Sequence, residues 1–275
     1  MMRLQDLSQP RIGIIGGGPA GSFTALHLLD QTEQLQVEPQ ILIFEPRDFS
    51  LPGPGSCNRC AGILSSRVLR GLEDLGMSLP PEIIQSEIHS YSLHFDHDTL
   101  GITQPDPERE IVTVFRSGGP RLLHGKPLAS LDAYLLSKAE ERGAQHIPQR
   151  VVIAQRSKTI PIHTENDTYE VDFLILATGV NSHAPLSHTF GYKAPATEIM
   201  AQDEILRPDS WPNDQVSVYF QDPPGLKFGA IIPKSKYLNI SLLGDHMTRD
   251  SVQDFITVQG LRRELGYTEE SSLCG

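Results

Sequence analysis

Three glycines near the start of the chain have the spacing of a phosphate-binding turn. Gly16, Gly18 and Gly21 match G-x-G-x-x-G within GIIGGGPAG, and Pro19 and Ala20 stand inside the motif. In such a turn the first glycine permits a tight bend, the second lets a pyrophosphate approach the backbone, and the third lets a helix lie close to a strand. The N–H groups at the start of that helix face the phosphates. We predict a dinucleotide-binding turn here; the alternative is a glycine-rich turn without a ligand.

An acidic residue follows at the position that a ribose site requires. Glu45 ends the apolar run ILIFEP, which is the next such run after the glycines. A carboxylate at the end of the second strand can accept hydrogen bonds from both hydroxyls of an adenosine ribose, and it disfavours a 2′-phosphate. We therefore predict that Glu45 binds the ribose, and the alternative is an exposed glutamate at the end of a strand.

The elements that must position these residues form one strand–helix–strand unit. The run RIGIIG, residues 11–16, is typical of a strand that is buried on both faces of a parallel sheet. Apolar residues at helical spacing predict a helix over residues 20–30, and ILIFEP predicts a second strand over residues 41–46. The first 46 residues therefore predict a βαβ unit.

Later segments predict antiparallel structure and two further helices. Alternation of apolar and polar residues, typical of a sheet with one wet face, occurs in residues 90–95, 216–220 and 238–242, with a hairpin predicted at residues 233–236. Residues 130–143 predict a helix that ends at Gly143, and residues 151–154 and 169–179 predict strands. A helix over residues 252–265 is predicted to be a solvated surface with a weak apolar face.

Composition and charge exclude several classes of protein. The 275 residues carry 23 Lys and Arg against 34 Asp and Glu, a net charge of −11, and contain no basic run, so we expect no nucleic-acid partner. The longest apolar stretches are far shorter than the ~20 residues that span a bilayer, so no transmembrane segment is expected, although a peripheral membrane contact stays open. Because the start of the chain lacks an apolar signal region and only three cysteines occur, we expect a cytoplasmic protein with reduced thiols.

Two of the cysteines form a C-x-x-C pair in an unusual loop. Cys57 and Cys60 lie within SLPGPGSCNRCAGILSS, and such a pair suggests a redox dithiol or half of a zinc site. The sequence offers no second C-x-x-C and no matching histidine pair nearby, so no metal site is predicted. The plain interpretation is that both cysteines shape the loop. The sharper hypothesis is that one of them contacts the substrate or the edge of the cofactor, and no catalytic acid or base is identified.

Several segments together resemble flavoprotein oxidoreductases of the geranylgeranyl reductase family. They span nearly the whole chain and comprise GIIGGGPAGS with Glu45, CNRCAGILS, SLDAYLLSKAEERGA, ATG at residues 177–179, and FGAIIPKSKYLNISLL. The resemblance implies an α/β fold in which an antiparallel β-sheet substrate domain is interleaved with a Rossmann-type FAD/NAD(P)-binding domain, as in flavoproteins of the para-hydroxybenzoate hydroxylase type. The implied FAD-binding domain comprises residues 1–79 and 120–185, and the implied substrate domain residues 80–119 and 186–275.

The resemblance also implies roles for individual residues. The glycines of the turn would hold the FAD pyrophosphate, Glu45 the adenosine ribose, and the backbone at Val151 or Val152 the adenine. The loop at residues 57–62 corresponds to a Cys-Gly-Gly element beside the isoalloxazine ring, with Ala61 where a glycine is usual. The implied cofactor-binding residues are Gly16, Gly18, Pro19, Ala20, Gly21, Glu45, Cys60, Ala61, Gly62, Val152, Ala177, Thr178 and Gly179.

The activity implied by the resemblance is flavin-dependent reduction or dehydrogenation. NADPH or NADH would supply hydride through FAD to a carbon–carbon double bond of a hydrophobic, isoprenoid-like substrate. The alternatives are a flavin-dependent monooxygenase or halogenase, and a truncated dinucleotide-binding module without activity. The last arises because relatives carry a later Gly-Asp motif at a helix start, which the residues after Gly244 and Asp245 do not resemble. We therefore expect the chain to be shorter than full-length relatives, with a substrate domain that is incomplete at its C-terminal end.

Overall fold

The computed structural model describes residues 9–53, 60–96, 98–104, 106, 108–123, 125–179, 184–198, 200–220 and 223–274. The strands are β1 (Arg11–Ile15), β2 (Gln40–Phe44), β3 (Ile63–Ser65), β4 (Ile84–Glu87), β5 (Ser90–Phe95), β6 (Asp98–Thr103), β7 (Ile111–Val114), β8 (Gln145–Ile147), β9 (Val151–Ala154), β10 (Ile160–Thr164), β11 (Thr168–Val171), β12 (Phe173–Leu176), β13 (Met200–Leu206), β14 (Gln215–Tyr219), β15 (Leu226–Lys234) and β16 (Tyr237–Gly244). The helices are α1 (Pro19–Gln34), α2 (Ser66–Glu73), α3 (Leu131–Glu141) and α4 (Arg249–Val258).

The chain divides into two compact units. Unit 1 comprises Met1–Asp48 and Asp132–Thr197, and unit 2 comprises Phe49–Leu131 and Glu198–Gly275. This division differs from the predicted domain bounds, because residues 49–79 and 120–131 belong to unit 2 and residues 186–197 belong to unit 1. The reason is strand pairing: β3 pairs with β7, and the Ser130 hydroxyl donates a hydrogen bond to the Arg116 carbonyl.

Unit 1 contains a parallel sheet of four strands in the order β12-β1-β2-β8. Strand β1 lies between two partners, with Ile14 in register with Ile43 on β2 and Ile175 on β12. Ile14 and Ile43 are buried, as expected for a β-branched strand with both faces covered. The predicted βαβ unit is confirmed as β1, α1 and β2.

The predicted single strand over residues 169–179 is wrong, because the chain changes sheets at Asp172. Strand β11 pairs antiparallel with β10 in a three-stranded sheet completed by β9, whereas β12 pairs parallel with β1. At the change, the Asp172 carboxylate accepts hydrogen bonds from the Arg11 backbone N–H at 2.9 Å and from its guanidinium Nη2 at 3.0 Å. This pair fixes the start of β1 beside the start of β12.

Unit 2 is built on a six-stranded sheet in the order β13-β16-β15-β14-β5-β6. Only the β14–β5 pair among these described strands is parallel, and the others are antiparallel. The predicted hairpin at residues 233–236 is confirmed as the turn between β15 and β16. A smaller antiparallel sheet in the order β3-β7-β4 completes the unit, and the hydroxyl of Thr113 on β7 donates to the carbonyl of Pro233 on β15 at 2.8 Å.

The predicted solvated helix over residues 252–265 is wrong in both extent and environment. Helix α4 ends at Val258, and its residues Val252, Phe255 and Ile256 are buried. They pack in one core cluster with apolar residues of β13, β15 and β16. Phe255 lies three residues after Val252 and one before Ile256, so the three side chains form a narrow stripe along the helix. Such a stripe is enough to bury one face of a short helix.

Candidate functional site

In the turn between β1 and α1, backbone oxygens lie so close to two glycines that neither position has room for a Cβ atom. Gly16 has φ of +108°, a conformation that favours glycine, and a Cβ there would lie 2.4 Å from the Ala177 carbonyl oxygen. A Cβ on Gly21 would lie 1.8 Å from the Gly16 carbonyl oxygen. The glycines predicted to form the turn therefore allow β1, α1 and the end of β12 to approach one another.

Helix α1 starts without a capping side chain. Gly18 is its N-cap residue and Pro19 follows at the first helical position, and no side chain of the described residues caps the helix start. The hydroxyl of Ser22 turns back to the Gly17 carbonyl at 2.8 Å. Backbone N–H groups at an uncapped helix start, together with the positive end of the helix dipole, bind phosphate oxygens. The geometry fits the predicted pyrophosphate site.

Glu45 is buried, which excludes the alternative of an exposed glutamate at the end of a strand. It is 2% exposed, and its carboxylate accepts a hydrogen bond from the Gly17 N–H at 3.0 Å. The Arg47 backbone N–H and guanidinium Nε also donate to it, at 3.0 and 2.9 Å. A carboxylate has about four acceptor positions, so ribose hydroxyls would have to share the oxygens with Arg47 or displace it. The binding of ribose by Glu45 stays a prediction, and the contact of Arg47 with Glu45 was not predicted from the sequence.

The other residues predicted around the nucleotide lie at two places in unit 1. Ala177 follows β12 and donates its N–H to the Ile15 carbonyl at 2.8 Å, so residues 177–179 begin beside the glycine turn. Gly179 has φ of +76°. Val152 lies on β9 and is 57% exposed, so the backbone there is accessible to an adenine ring. Contact of these residues with a dinucleotide stays a prediction.

The described part of the Cys-containing loop is fixed to β7 of unit 2. We call Cys60, Ala61 and Gly62 the 60–62 segment; Cys57 lies outside the described residues. Gly62 has φ of +68°, and its carbonyl accepts the Val114 N–H at 2.8 Å. A Cβ on Gly62 would lie 2.1 Å from the Val114 carbonyl oxygen, so glycine is required there. The position of this segment beside a flavin ring stays a prediction.

One face of the six-stranded sheet is apolar across four strands. Residues paired in register point to the same side of a sheet. The members of this apolar face are Ala230 and Ile232 on β15, Val216 and Val218 on β14, Tyr91 and Leu93 on β5, and Leu100 and Ile102 on β6. At the β6 end Leu100 is 55% and Ile102 45% exposed. Ala61 packs against the same cluster, so the 60–62 segment borders the apolar face.

The apolar face continues into polar side chains on β13, β15 and β16. Gln202 Nε2 donates to the Ser241 hydroxyl at 2.7 Å, and that hydroxyl donates to Asn239 Oδ1 at 2.6 Å. In the same layer Lys234 Nζ lies 3.1 Å from Glu204 Oε1, and both residues are buried. This pair was not predicted from the sequence, although the lysine at the end of the apolar run FGAIIPK is a signal that a charge lies in a buried strand.

Burial shifts the pKa values of several groups in unit 2, among them a thiol and a phenol near the apolar face. Burial and the neighbouring Glu204 carboxylate raise the pKa of the Cys274 thiol, whose Sγ lies 3.1 Å from Glu204 Oε2. Burial also raises the pKa of the Tyr91 phenol on the apolar face. Both groups are therefore neutral near pH 7, and Tyr91 can offer a hydroxyl donor within an apolar surface.

The opposite face of the same sheet carries a cavity of different character. Its volume is about 480 Å³, and Ser217, Tyr219, His94 and Glu264 are among the residues that line it. His94 stacks on Tyr219 with ring centroids 4.3 Å apart, and burial lowers the pKa of His94. The hydroxyl, imidazole and carboxylate groups of this cavity do not suit an apolar substrate.

The described part of the chain has neither a membrane-spanning helix nor a metal-binding cluster, and two of its cysteines are free. Within the described ranges, no helix is long and apolar enough to cross a bilayer. The same part of the chain holds no group of three or more His, Cys, Asp or Glu side chains placed to bind a metal ion. Cys60 and Cys274 are both free thiols.

Comparison with known proteins identifies the fold. No family model matches the chain, and no curated protein matches its sequence. Among solved structures, it is similar to a geranylgeranyl bacteriochlorophyll reductase-like protein from Thermoplasma acidophilum, with TM-score 0.67 and 18% identity, covering 93% of this chain and 64% of the other. A flavoprotein/dehydrogenase from Cytophaga hutchinsonii gives TM-score 0.64 and 15% identity, covering 93% and 62%. A flavin-dependent halogenase from Brevundimonas sp. BAL3 gives TM-score 0.61 and 12% identity, covering 90% of this chain and 60% of the other.

The chain therefore spans less than two thirds of the length of these three structures. At such low identity the likeness concerns the fold and not the activity. The parallel sheet of unit 1 and the antiparallel sheets of unit 2 agree with the α/β class predicted from the sequence. The chain has the fold of flavin-dependent enzymes, and the structural likeness predicted from the resemblance is confirmed.

Proposed function

We propose that this chain is an FAD-dependent oxidoreductase. The observation that carries the proposal is the turn of unit 1, where the backbone contacts of Gly16 and Gly21 exclude side chains and Glu45 lies buried against it. The uncapped start of α1 adds N–H groups for a pyrophosphate. The fold shared with flavin-dependent enzymes supports FAD over other dinucleotides.

The residues present would hold the nucleotide part of FAD in unit 1. Gly18 and the start of α1 would bind the pyrophosphate. Glu45 would accept hydrogen bonds from the ribose hydroxyls, with its carboxylate oxygens shared between the ribose and Arg47. The residues at 177–179 would lie along the dinucleotide. The chemistry that FAD supplies when bound is reversible two-electron hydride transfer, here between NADPH or NADH and a carbon–carbon double bond.

The apolar face supports a hydrophobic, isoprenoid-like substrate. The β15 end of the face is closed, because Ala230 and Ile232 are buried and Ile63 packs against their cluster. The part open to a substrate lies on β14, β5 and β6 and comprises Val218, Tyr91, Leu93, Leu100 and Ile102. Strands lie about 4.8 Å apart, so this part extends roughly 10 Å across the sheet. The face can orient an elongated apolar molecule and exclude water from it. Half-exposed Leu100 and Ile102 at one end offer a path for such a molecule to enter.

A second enzyme class is supported by several of the structural neighbours. A flavin-dependent halogenase is among the structural neighbours, so oxygen-dependent chemistry at a flavin is the alternative to double-bond reduction. The two enzyme classes, reductase and oxygen-dependent flavoenzyme, differ in whether they consume oxygen. A monooxygenase or halogenase consumes oxygen in step with its substrate, whereas a reductase turns over its substrate without oxygen.

The test starts from the purified 275-residue chain. We expect a flavin absorption spectrum, or uptake of added FAD with a change in flavin fluorescence, and identification of FAD after release from the protein. Anaerobic reduction by NADPH or NADH, followed by reoxidation with an isoprenoid alcohol, then tests the reductase. A Gly21→Ala variant, in which the added Cβ disrupts the turn, should not take up FAD, and Gly71→Ala is its matched control. A colourless protein that takes up no FAD would contradict the proposal and leave a dinucleotide-binding module without activity.

A further inference from the structure

A buried ammonium group holds the 60–62 segment against the sheet of unit 2. The Lys234 residue is 2% exposed, and its Nζ donates hydrogen bonds to Glu204 Oε1 at 3.1 Å and to the Cys60 carbonyl oxygen at 3.1 Å. The same Nζ lies 4.6 Å from the centre of the Phe115 ring. The lysine side chain therefore bridges a strand of the sheet and the backbone of the segment.

The burial of the charged Lys234 side chain is energetically unfavourable unless the charge has partners. Burial of an ammonium is unfavourable unless it is paired, and apolar side chains of similar volume often replace a buried ion pair with no loss of stability. Glu204 provides the pairing charge, and its second oxygen accepts the Cys274 thiol at 3.1 Å. The Lys234 ammonium also donates to the Cys60 carbonyl, a hydrogen bond that an apolar side chain at this position could not make.

The 60–62 segment has one anchor at each end. At its start, the Cys60 carbonyl accepts from Lys234, and at its end the Gly62 carbonyl accepts the Val114 N–H at 2.8 Å. Between them Ala61 packs on the apolar face. The hydrogen bond at Gly62 joins two backbone groups. The hydrogen bond at Cys60 comes from the Lys234 side chain, so a substitution at Lys234 can change the position of Cys60 and Ala61.

We infer that Lys234 is a positioning residue: its ammonium, held in place by Glu204, fixes the 60–62 segment beside the apolar face. This inference rests on the proposed function in one respect, since the segment matters for flavin chemistry only if FAD binds. Removal of the ammonium would release the start of the segment while leaving the anchor at Gly62. If Lys234 contributed to stability alone, the result would differ, because the 60–62 segment would then stay in place on the sheet in any variant that folds.

The experiment measures the rate at which iodoacetamide alkylates Cys60, quantified on the Cys60 peptide by mass spectrometry, in the flavin-free 275-residue chain. In Lys234→Met we expect an increase of about tenfold, the factor that corresponds to the loss of one hydrogen bond to a charged group. Lys236→Met is the matched control, because Lys236 is exposed on the same hairpin, and its alkylation rate should equal that of the original chain.

A second variant keeps the test decisive if Lys234→Met fails to fold. In the double variant Lys234→Met with Glu204→Gln, no unpaired charge remains buried, so folding is restored while the donor to the Cys60 carbonyl is still absent. We expect the same increase of about tenfold in the alkylation of Cys60. An unchanged rate in either variant, with a native circular dichroism spectrum, overturns the inference.

The dissociation constant of FAD, measured by fluorescence on the same proteins, separates this inference from the proposed function. Fast alkylation in the variants, with no FAD binding by the original chain, would support the positioning role and reject the flavoenzyme. Unchanged alkylation, with FAD bound by all proteins, would reject the positioning role and support the flavoenzyme.

Discussion

Two buried glutamates, one in each unit, show two ways in which this molecule places a negative charge. Glu45 in unit 1 binds the N–H of Gly17 and the side chain of Arg47, which is two residues away in the sequence. Glu204 in unit 2 binds Lys234, which is 30 residues away and on a different strand. The first arrangement needs the pairing of β1 with β2, which brings Glu45 to Gly17, 28 residues away, together with the local contact to Arg47. The second exists only when three strands have paired in the correct register.

The difference has a consequence for stability. The carboxylate of Glu45 is satisfied in part by backbone N–H groups, which no substitution elsewhere removes. The carboxylate of Glu204 relies on side chains, so the loss of one partner leaves a buried charge unpaired. We therefore expect unit 2 to respond more strongly to a single substitution at its ion pair than unit 1 responds at Glu45.

The largest effect is expected from Lys234→Met. Unpaired burial of Glu204 should lower the free energy of unfolding by about 3–5 kcal/mol, measured by urea denaturation. Lys236→Met on the same hairpin should change it by less than about 0.5 kcal/mol. Equal stability of the two variants would show that the ion pair contributes no more than an exposed lysine.

The next effect concerns the glycine turn of unit 1. In Gly21→Ala the added Cβ would meet a backbone oxygen at 1.8 Å, so α1 must shift away from β1. We expect a loss of about 1–3 kcal/mol in the free energy of unfolding and the loss of FAD binding. Gly71→Ala in α2 is the control, because no atom lies within 4 Å of its added Cβ, and it should stabilise the protein by about 0.5–1 kcal/mol. Retention of FAD by Gly21→Ala would contradict the assignment of the turn.

A smaller effect is expected at Glu45. The Glu45→Gln variant keeps an acceptor for the Gly17 N–H but loses the charge and one acceptor oxygen, so FAD should bind about tenfold more weakly in a fluorescence titration. Glu38→Gln, at an exposed residue of the same unit, should leave the dissociation constant unchanged. Equal affinity of the two variants would mean that Glu45 supports the turn and does not bind the ribose.

The smallest effect belongs to the surface of unit 1. The hydrogen bonds from Arg11 lower the pKa of the Asp172 carboxyl, so the ionised form stabilises the folded state. That contribution is complete above the ordinary pKa of about 4 and is lost as the pH falls through the lower folded-state value. Asp172→Asn should therefore cost about 1 kcal/mol at pH 7, and the difference from the original chain should shrink in acid. Glu82→Gln, at an exposed residue, should show neither behaviour in the same pH series.

The sequence predicts well what neighbouring residues decide. The βαβ unit follows from β-branched runs, helical spacing and glycines, and the hairpin after β15 follows from alternation interrupted by Pro233 and polar residues. The change of sheet at Asp172 was not predictable in this way, because Arg11 lies far away in the chain. The same holds for Lys234 and Glu204, whose meeting depends on the register of the sheet in unit 2.

The apolar face has one further consequence, for how the protein behaves at high concentration. It reaches strand β6, which stands last in the strand order of its sheet and carries half-exposed Leu100 and Ile102. An edge strand with exposed apolar side chains is a template for pairing with a strand of another molecule. Asp98 places a charge at the start of this strand and works against such pairing. A substitution such as Leu100→Lys, made to suppress self-association, would therefore also remove apolar surface from the proposed substrate path.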